Sequence, residues 1–354
     1  MNKIKKILAA FFTFVFVMSV FAASNASAFE GEILAPNALK KGDKICILEP
    51  SRTTEYRKKI MEERLPDVIK NLEERGFEVV TYEESFATTP LGLGDGTEKL
   101  RADLFNQAVK DPEIKAIFSF WGGYGAMQIL DKIDYEEFRK NRKIFVGFSD
   151  ATAVELAIFE KSGVITFHGP MVGASLNWQE TVCFDNLFDM LMTPQKTETE
   201  LRNIDDDTLF KAHESGKCLG ECEAYVFGGN MCLVQSLIGT PYEPSYKDKI
   251  LFLEEIEEND YRIHRILWQL KLAGRLDELK GIIIGKLIPV KGETEERLLK
   301  ACFDVIKDLK IPIIYNFHAG HIKNPLTLPI GAKLKINGEK VVVTGPVVQS
   351  ISQD

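Results

Sequence analysis

The sequence predicts an α/β protein with two domains behind an N-terminal signal peptide. Short apolar runs rich in Ile, Val and Phe alternate along the chain with longer amphipathic stretches. This alternation is typical of parallel sheets with helices on both faces. A chain of 354 residues is long enough for two hydrophobic cores. Because ligands in such sheets lie at the carboxyl ends of strands, the residues that follow each run are the first candidates for function.

The first 28 residues predict a secretory signal peptide. Lys3, Lys5 and Lys6 precede an apolar run over residues 7–23, and Ala26-Ser27-Ala28 supplies a small-residue cleavage site. The run is short for a bilayer span, so cleavage after Ala28 is favoured over an uncleaved anchor. We therefore expect an exported protein, secreted or held in the cell wall or periplasm, that meets the membrane only during export.

Charge and cysteine content exclude several classes of protein. Loss of the signal segment removes three lysines and no acidic residue, so the net charge changes from −8 to −11. No nucleic-acid partner is expected of an acidic protein without a basic run. Among six cysteines, Cys46 and Cys232 lie in apolar runs and are expected to be buried thiols. Cys218 and Cys222 could pair or bind metal, but no second pair has zinc spacing, which favours no structural metal.

The first domain is expected at residues 29–172. Apolar runs ending at small or polar residues give its strands, and amphipathic stretches between them give its helices. The predicted strands are residues 44–48, 78–82, 116–120, 143–148 and 164–167, and the predicted helices are 55–75, 97–109 and a third that begins at Ala126.

Residues 173–217 are polar and irregular around one predicted helix, 181–192, and are interpreted as a connection between domains. The second domain is expected at residues 218–354 and ends in a hairpin with an Asn337-Gly338 turn. Its predicted strands are 224–227, 249–253, 281–284, 312–315, 333–336 and 340–343, and its predicted helices are one after Asn230, 260–273 and 295–309.

Ser149 is the candidate nucleophile. The apolar run over residues 144–146 stops at Gly147, and a helical pattern begins soon afterwards. A serine at such a strand-to-helix turn exposes its hydroxyl near the positive end of the helix, and the next amide, from Asp150, points at any oxyanion that forms. Ala151 stands where the usual turn has its second glycine. The alternative is that Ser149 and Asp150 only cap the helix.

A glycine-rich turn, Trp121 to Gly125, follows the third predicted strand. Gly122 and Gly123 allow bare backbone amides to approach a substrate closely, and we assign Gly122 and Tyr124 to substrate binding. The turn lacks the G-x-G-x-x-G spacing and does not follow the first strand, so it is not a dinucleotide fingerprint. The alternative is a plain tight turn.

A serine nucleophile needs a neighbouring base, and the chain has only five histidines. His213 lies in the polar connection, His264 lies on a helix face expected to be solvated, and His168 follows a buried strand where a core role is the alternative. His318 and His321 lie in a loop at the end of a strand, where catalytic side chains are common. His321 is the preferred base and His318 the reserve.

Glu254 is the candidate to orient the histidine, because it directly follows the predicted strand 249–253. Its neighbours Glu255, Glu257 and Glu258 are expected to be exposed charge. The alternative for all four is a solvated acidic turn. In Ser149, Glu254 and His321 the nucleophile, acid and histidine follow an order that hydrolases of other folds also use.

Several motifs occur in order over nearly the whole mature chain. They are Gly122–Gly125, Gly147–Ala153, Phe167–Met171, Gly228–Asn230, Leu251–Glu254, Gly320–His321 and Thr327–Gly331. Together they resemble the LD-carboxypeptidase family of serine peptidases, whose Ser, Glu and His triad falls here on Ser149, Glu254 and His321.

The resemblance implies a Rossmann-like N-terminal domain, a C-terminal α/β domain and an active site in the cleft between them. It also implies a homodimer, no cofactor, and an oxyanion hole made by the backbone amides of Asp150 and Gly123. Well-known members of the family remove the terminal D-alanine from murein tetrapeptides, so a murein peptide is the implied substrate. An exported member would trim peptides on the wall itself.

Two residues depart from the family pattern. Trp121 stands where murein enzymes usually carry arginine, and Glu255 stands where aspartate is commoner. Since Trp121 lies beside the site, its effect on specificity leaves other substrates open. A sister group, the microcin-C immunity peptidases, cleaves acyl-sulfamoyl nucleotides, and a cyanophycin-like peptide is a further alternative. A cell-wall peptide-binding protein without catalysis is disfavoured because all three triad side chains are present.

Overall fold

Two α/β halves, each built on its own sheet, make up this computed structural model. It describes residue 29 and residues 31–88, 96–173, 182–194, 198–204, 210–213 and 221–350. The predicted signal peptide, Cys218 and much of the predicted connection lie outside the described residues. The predicted two-domain α/β fold with a parallel N-terminal sheet is confirmed. No helix in the described part of the chain is long and apolar enough to cross a membrane.

The first sheet has six described strands in the order β12-β5-β4-β3-β1-β2. Strands β1 to β5 run parallel, and β12 is antiparallel at the edge. The strands are β1 (Lys44–Leu48), β2 (Glu78–Thr81), β3 (Ile114–Ser119), β4 (Ile144–Gly147), β5 (Thr166–His168) and β12 (Leu328–Ile330). Its helices are α1 (Glu55–Glu74), α2 (Glu98–Lys110), α3 (Tyr135–Asn141) and α4 (Thr152–Ser162).

The strand order of this sheet reverses between β1 and β3. From β1 the chain crosses to β2 at one edge, and from β2 it returns past β1 to β3. The crevice at such a reversal is the usual ligand site of an open parallel sheet. Trp121 to Gly125 follows β3 directly, so the glycine-rich turn lies at this crevice.

The second sheet has eight described strands in the order β6-β14-β13-β8-β9-β10-β11-β7, with β8 to β11 parallel. The strands are β6 (Thr199–Leu201), β7 (Lys211–Ala212), β8 (Glu221–Asn230), β9 (Ile250–Glu258), β10 (Gly281–Pro289), β11 (Ile313–Tyr315), β13 (Lys333–Asn337) and β14 (Lys340–Val343). The remaining helices are α5 (Cys183–Met192), α6 (Met231–Leu237), α7 (Asp260–Leu272) and α8 (Glu295–Ile306).

The two halves are interlocked rather than simply joined end to end. Strand β12 leaves the second half and pairs with β5, with Leu328 opposite His168. Helix α4 packs against strands of both sheets, and ten of its eleven residues are buried. Since α4 begins just after Ser149, the predicted nucleophile lies where the two halves meet.

Several predicted elements differ from the structure in their bounds, and two of these differences adjoin candidate site residues. The helix expected from Ala126 is a 3-10 helix (Ala126–Lys132) followed by the short helix α3. Strand β9 continues to Glu258 instead of ending at residue 253, because β10 extends alongside it and pairs Leu287 with Glu255. Glu254 therefore lies within a strand and not in the loop after it.

Candidate active site

Ser149 lies at a sharp turn between β4 and α4. Its φ is 60°, a left-handed conformation that is uncommon for a residue with a side chain and is typical of strained nucleophile turns. A Cβ on Gly147 would lie 2.8 Å from the Cβ of Ala151, so this turn requires glycine before Ser149 and a small residue after it. The N-cap residues of the 3-10 turn over Ser149–Ala151 and of α4 are Phe148 and Ala151, and neither makes a side-chain capping hydrogen bond, so the geometry does not support the capping alternative.

The glycine-rich turn packs directly against Ser149. A Cβ on Gly122 would lie 3.0 Å from the Ser149 Oγ and 3.4 Å from the backbone nitrogen of Asp150. Only glycine brings the turn this close to the hydroxyl. Gly123 has a φ of 140°, and it is exposed, as is Tyr124, whose ring lies 5.7 Å from the guanidinium carbon of Arg52.

The carbonyl groups of the turn are tied to its surroundings. Ser119 Oγ donates to the Trp121 carbonyl at 2.7 Å, and the amide of Arg52 donates to the Tyr124 carbonyl at 2.8 Å. Arg57, on α1, donates to the carbonyl of Gly122. By contrast, the structure gives the N–H groups of Gly122 and Gly123 no hydrogen-bond partner within the described ranges. These two donors are free to meet an oxyanion.

The carboxylate of Asp150 links the residue after Ser149 to Ser51 and to Ala126, which follows the glycine-rich turn. It is buried and accepts hydrogen bonds from Ser51 Oγ at 2.7 Å and from the backbone N–H of Ala126 at 2.9 Å. Burial raises the pKa of Asp150, although these hydrogen bonds oppose the shift. The sequence analysis assigned a role only to the amide of Asp150. No local pattern marks its side chain, since its partners lie far away along the chain.

Glu254 and His321 form a direct pair. His321 Nδ1 lies 2.7 Å from Glu254 Oε2, and the carboxylate is fully buried while the ring is slightly exposed. The loop passes tightly over the carboxylate at Gly320, whose φ is 115° and where a Cβ would lie 2.7 Å from Glu254 Oε2. The buried carboxylate thus directs one ring nitrogen inward and leaves Nε2 for chemistry, as an orienting acid does.

The ring of His321 packs against the residue that precedes the predicted nucleophile. Its centroid is 4.8 Å from that of Phe148, the residue before Ser149, in an edge-to-face contact. No hydrogen bond joins Ser149 to His321 among the described residues; in unliganded hydrolases this contact is often long and tightens with substrate. Since the histidine that pairs with Glu254 is His321, the structure favours His321 over the reserve base.

The expectation that Glu255 is exposed charge is wrong. Glu255 is buried on β9, where its carboxylate accepts hydrogen bonds from the Asn230 side-chain amide at 2.6 Å and from the Cys232 amide at 2.9 Å. Burial raises the pKa of Glu255, with the charge of Glu254 adding to the shift. Cys232 is half-buried, and burial raises the pKa of its thiol to about 12. Glu255 therefore holds the end of β8 against β9.

A second histidine–glutamate pair contacts the same phenylalanine, Phe148, as His321 does. His168 Nδ1 is 3.0 Å from Glu155 Oε2, and both side chains are buried, in agreement with a core role for His168. Burial lowers the pKa of His168, but the charge and hydrogen bond of Glu155 outweigh it and raise that pKa. The His168 ring also meets Phe148 and Phe252 edge to face. This buried pair thus packs against Phe148, the residue before Ser149.

Comparisons with known proteins agree with this arrangement. Residues 45–169 match the family model of the LD-carboxypeptidase N-terminal domain, and residues 223–336 match that of the LD-carboxypeptidase C-terminal domain. The chain belongs to the LD-carboxypeptidase family. It is therefore a serine-type carboxypeptidase, a hydrolase, as the sequence predicted.

Two relatives of this LD-carboxypeptidase carry more specific names. A Bacillus subtilis (strain 168) protein named "Probable murein peptide carboxypeptidase" is 33% identical over 87% of this chain and 93% of its own. The Escherichia coli "Microcin C7 self-immunity protein MccF" is 29% identical over 76% of this chain and 84% of its own.

Two solved structures are similar to this chain. MccF in complex with aspartyl sulfamoyl adenosine superposes with a TM-score of 0.79, at 25% identity, over 89% of this chain and 100% of that one. The muramoyltetrapeptide carboxypeptidase from Oxalobacter formigenes superposes with a TM-score of 0.69, at 26% identity, over 86% of this chain and 100% of that one.

Within the described part of this LD-carboxypeptidase, no group of three or more His, Cys, Asp or Glu side chains is placed to hold a metal ion. Cys46 is buried, as predicted, and Cys302 is buried too, and burial raises the pKa of each thiol to about 12. Whether Cys218 pairs with Cys222 is not tested, because Cys218 lies outside the described ranges.

Proposed function

We propose that this protein is an exported carboxypeptidase that hydrolyses the L,D-peptide bond of murein tetrapeptides and releases the terminal D-alanine. The observation that carries the proposal is the 2.7 Å hydrogen bond between Glu254 and His321 beside the strained turn at Ser149. The relative named for murein peptides supports the choice of substrate.

Acyl transfer is the proposed mechanism. The Ser149 hydroxyl attacks the scissile carbonyl while His321 Nε2 accepts its proton, and Glu254 stabilises the imidazolium that forms. His321 then gives the proton to the amine of the departing D-alanine. Water attacks the acyl-enzyme with the same histidine as base, and the shortened peptide leaves with a new carboxylate.

The developing oxyanion would be bound by the amides of Asp150 and Gly123. The first follows Ser149 directly, and the second belongs to the turn whose Gly122 lies against the serine. Loss of one such donor typically costs about 3–4 kcal/mol of transition-state stabilisation when the site excludes water.

Replacement of the nucleophile tests the proposal. With a murein tetrapeptide as substrate, we expect the wild type to release D-alanine and Ser149→Ala to lower kcat by at least about 10³-fold. The thermal unfolding of the variant should match the wild type. Undiminished release of D-alanine by Ser149→Ala would overturn the mechanism, and no release by the wild type would overturn the substrate.

The likeness to MccF supports a second candidate, hydrolysis of an acyl-sulfamoyl nucleotide by the same three residues. Assays of aspartyl sulfamoyl adenosine and a murein tetrapeptide side by side decide between them. A kcat/KM higher for the tetrapeptide supports the murein proposal, and the reverse order supports the nucleotide.

Export and a homodimeric state are parts of the same proposal. Mass spectrometry of protein secreted by an expressing bacterium should give a mature N-terminus at Phe29, because the small-residue motif ends at Ala28. Light scattering on the purified protein should give twice the mass of the mature chain. An uncleaved N-terminus or a monomer would contradict the corresponding part.

A further inference from the structure

Arg57 is half-buried on the first turn of α1, far along the chain from the glycine-rich turn that it reaches. The N-cap side chain of Thr54 accepts a hydrogen bond from the Arg57 amide at 3.3 Å, which fixes the start of the helix. From there the Arg57 guanidinium extends over the turn, and its Nη1 donates to the carbonyl oxygen of Gly122. Within the described ranges no acidic side chain forms an ion pair with this guanidinium, although its charge lowers the pKa of the buried Glu49 and Asp150 carboxyls against the larger effect of burial.

The guanidinium also occupies the space beside Gly123. A Cβ on Gly123 would lie 2.9 Å from Arg57 Cζ, so glycine at this position is what admits the arginine. The contact is thus made to both ends of one peptide group, the carbonyl of Gly122 and the α-carbon of Gly123.

This peptide group is trans, since the described chain has no cis peptide bond. In a trans peptide the C=O and N–H point in opposite directions. When Arg57 holds the Gly122 carbonyl on its own side, the Gly123 N–H must point to the other side. The Ser149 hydroxyl lies close to Gly122, since a Cβ placed on Gly122 would be 3.0 Å from the Ser149 Oγ.

We propose that Arg57 is a positioning residue that fixes the Gly122–Gly123 peptide with its N–H turned towards the oxyanion. The inference rests on the proposed function, because it takes the Gly123 amide as an oxyanion donor. Two adjacent glycines have no side chain to prevent rotation of the peptide between them. A rotated peptide would present a carbonyl oxygen to the oxyanion and repel it.

The charge of Arg57 adds a second effect. A hydrogen bond from a cation to a carbonyl polarises the whole peptide group and makes its N–H a stronger donor. Arg57 therefore acts on the transition state through the Gly123 amide, without contact with the substrate.

Trp121 holds the arginine in place. The Arg57 guanidinium lies 5.4 Å from the centroid of the Trp121 ring, and Arg64, two turns further along α1, lies 5.0 Å from it. Arg64 donates to the Gly173 carbonyl at 2.7 Å and not to the turn. Trp121, which departs from the family pattern, therefore has a structural role here. Its ring packs against the Arg57 guanidinium, which extends from α1.

Arg64 provides a matched control, because both arginines stack on Trp121 and only Arg57 holds the turn. For Arg57→Met we expect kcat to fall about 10- to 100-fold with KM within about threefold of wild type, since the donor is misplaced but substrate contacts remain. Arg57→Lys should recover part of the lost kcat, and Arg64→Met should keep the kcat of the wild type. Circular dichroism confirms that each variant is folded.

A substrate-independent assay separates this inference from the proposed function. The rate at which a fluorophosphonate modifies Ser149 also depends on the oxyanion hole, and it should fall in Arg57→Met but not in Arg64→Met. Absence of labelling in the wild type would reject Ser149 as nucleophile. A labelled wild type with an equally fast Arg57→Met would overturn the role of Arg57. A higher KM with unchanged kcat would overturn it too and would identify Arg57 as a substrate-binding residue.

Discussion

Ser149 has a backbone conformation that costs about 1–3 kcal/mol in a residue with a side chain. Interactions on either side offset that cost. Gly147 and Ala151 leave room for the turn, and the buried carboxylate of Asp150 links Ser51 and Ala126 around it. The strained backbone conformation therefore exposes the Ser149 hydroxyl to the crevice, while the neighbouring residues keep the turn rigid.

The sequence identified the three proposed catalytic side chains because each stands at a marked place. Ser149 follows an apolar run and a glycine, and His321 is one of only five histidines. Arg57 was missed because its partner lies much further along the chain. Arg57 is 65 positions from the carbonyl that it binds, and no local spacing indicates such a contact.

Glu49 is expected to make the free energy of unfolding of the protein depend on pH. It is a buried residue just after β1, and its carboxylate accepts a hydrogen bond from the Ser51 amide at 3.1 Å. Burial raises the pKa of Glu49 well above its usual range, although hydrogen bonds from the Ser51 and Trp121 amides oppose the shift. The folded protein therefore binds this proton more tightly than the unfolded chain, whose glutamate pKa is about 4.3.

The free energy of unfolding that Glu49 contributes must then fall as pH rises from about 4.3 towards the folded pKa. Glu49→Gln cannot lose a proton, so its free energy of unfolding should increase relative to wild type between pH 4 and pH 7. Urea denaturation at both pH values measures the difference. Glu73→Gln, at an exposed position on α1, is the control and should follow wild type. A difference that does not change with pH would contradict the account.

At the scale of elements, the loop after β11 places His321 by means of one glycine. Gly320 lets the chain pass over Glu254 at a distance that no side chain allows. Strand β9 fixes the backbone of Glu254, because β10 pairs with β9 on both sides of this residue, at Leu253 and at Glu255. The sequence analysis ended this strand before Glu254, whereas the structure continues it to Glu258, since the run of glutamates conceals the pairing with β10.

Gly320→Ala should therefore disrupt the pair of Glu254 and His321. The added methyl group would lie 2.7 Å from Glu254 Oε2, so we expect kcat to fall at least about tenfold and the free energy of unfolding to fall by about 1–3 kcal/mol. Gly292→Ala is the matched control, because its φ of 97° is similar and nothing lies within 4 Å of its Cβ. It should lose stability but keep kcat. Equal kcat losses in the two variants would contradict a specific effect on Glu254.

At the scale of the whole molecule, β12 was not predicted as part of the first sheet. Leu328–Ile330 is a three-residue strand with a proline at its centre, and its partner β5 lies far back in the chain. Pairing at such a distance has no local sequence signal. The two-domain α/β class could be predicted, because alternation along the chain is local, but the interlocking of its halves could not.

This interlocking predicts that the two halves unfold together. Leu328 is fully buried, and Leu328→Ala should lower the free energy of unfolding by about 2–5 kcal/mol. Hydrogen exchange followed by mass spectrometry should show that strands of both sheets lose protection in one transition, in the wild type and in the variant. Loss of protection confined to the first sheet would show that the halves are independent.

The central claim is that three side chains from both halves form one proton relay at Ser149. Its most direct test is the rate of fluorophosphonate labelling of Ser149 in the wild type, His321→Ala and His318→Ala, with the adduct located by peptide mass mapping. The account predicts labelling at Ser149 that slows by about 10²–10⁴-fold in His321→Ala and stays within about threefold of wild type in His318→Ala. Equal rates in wild type and His321→Ala, or an adduct on another residue, would contradict it.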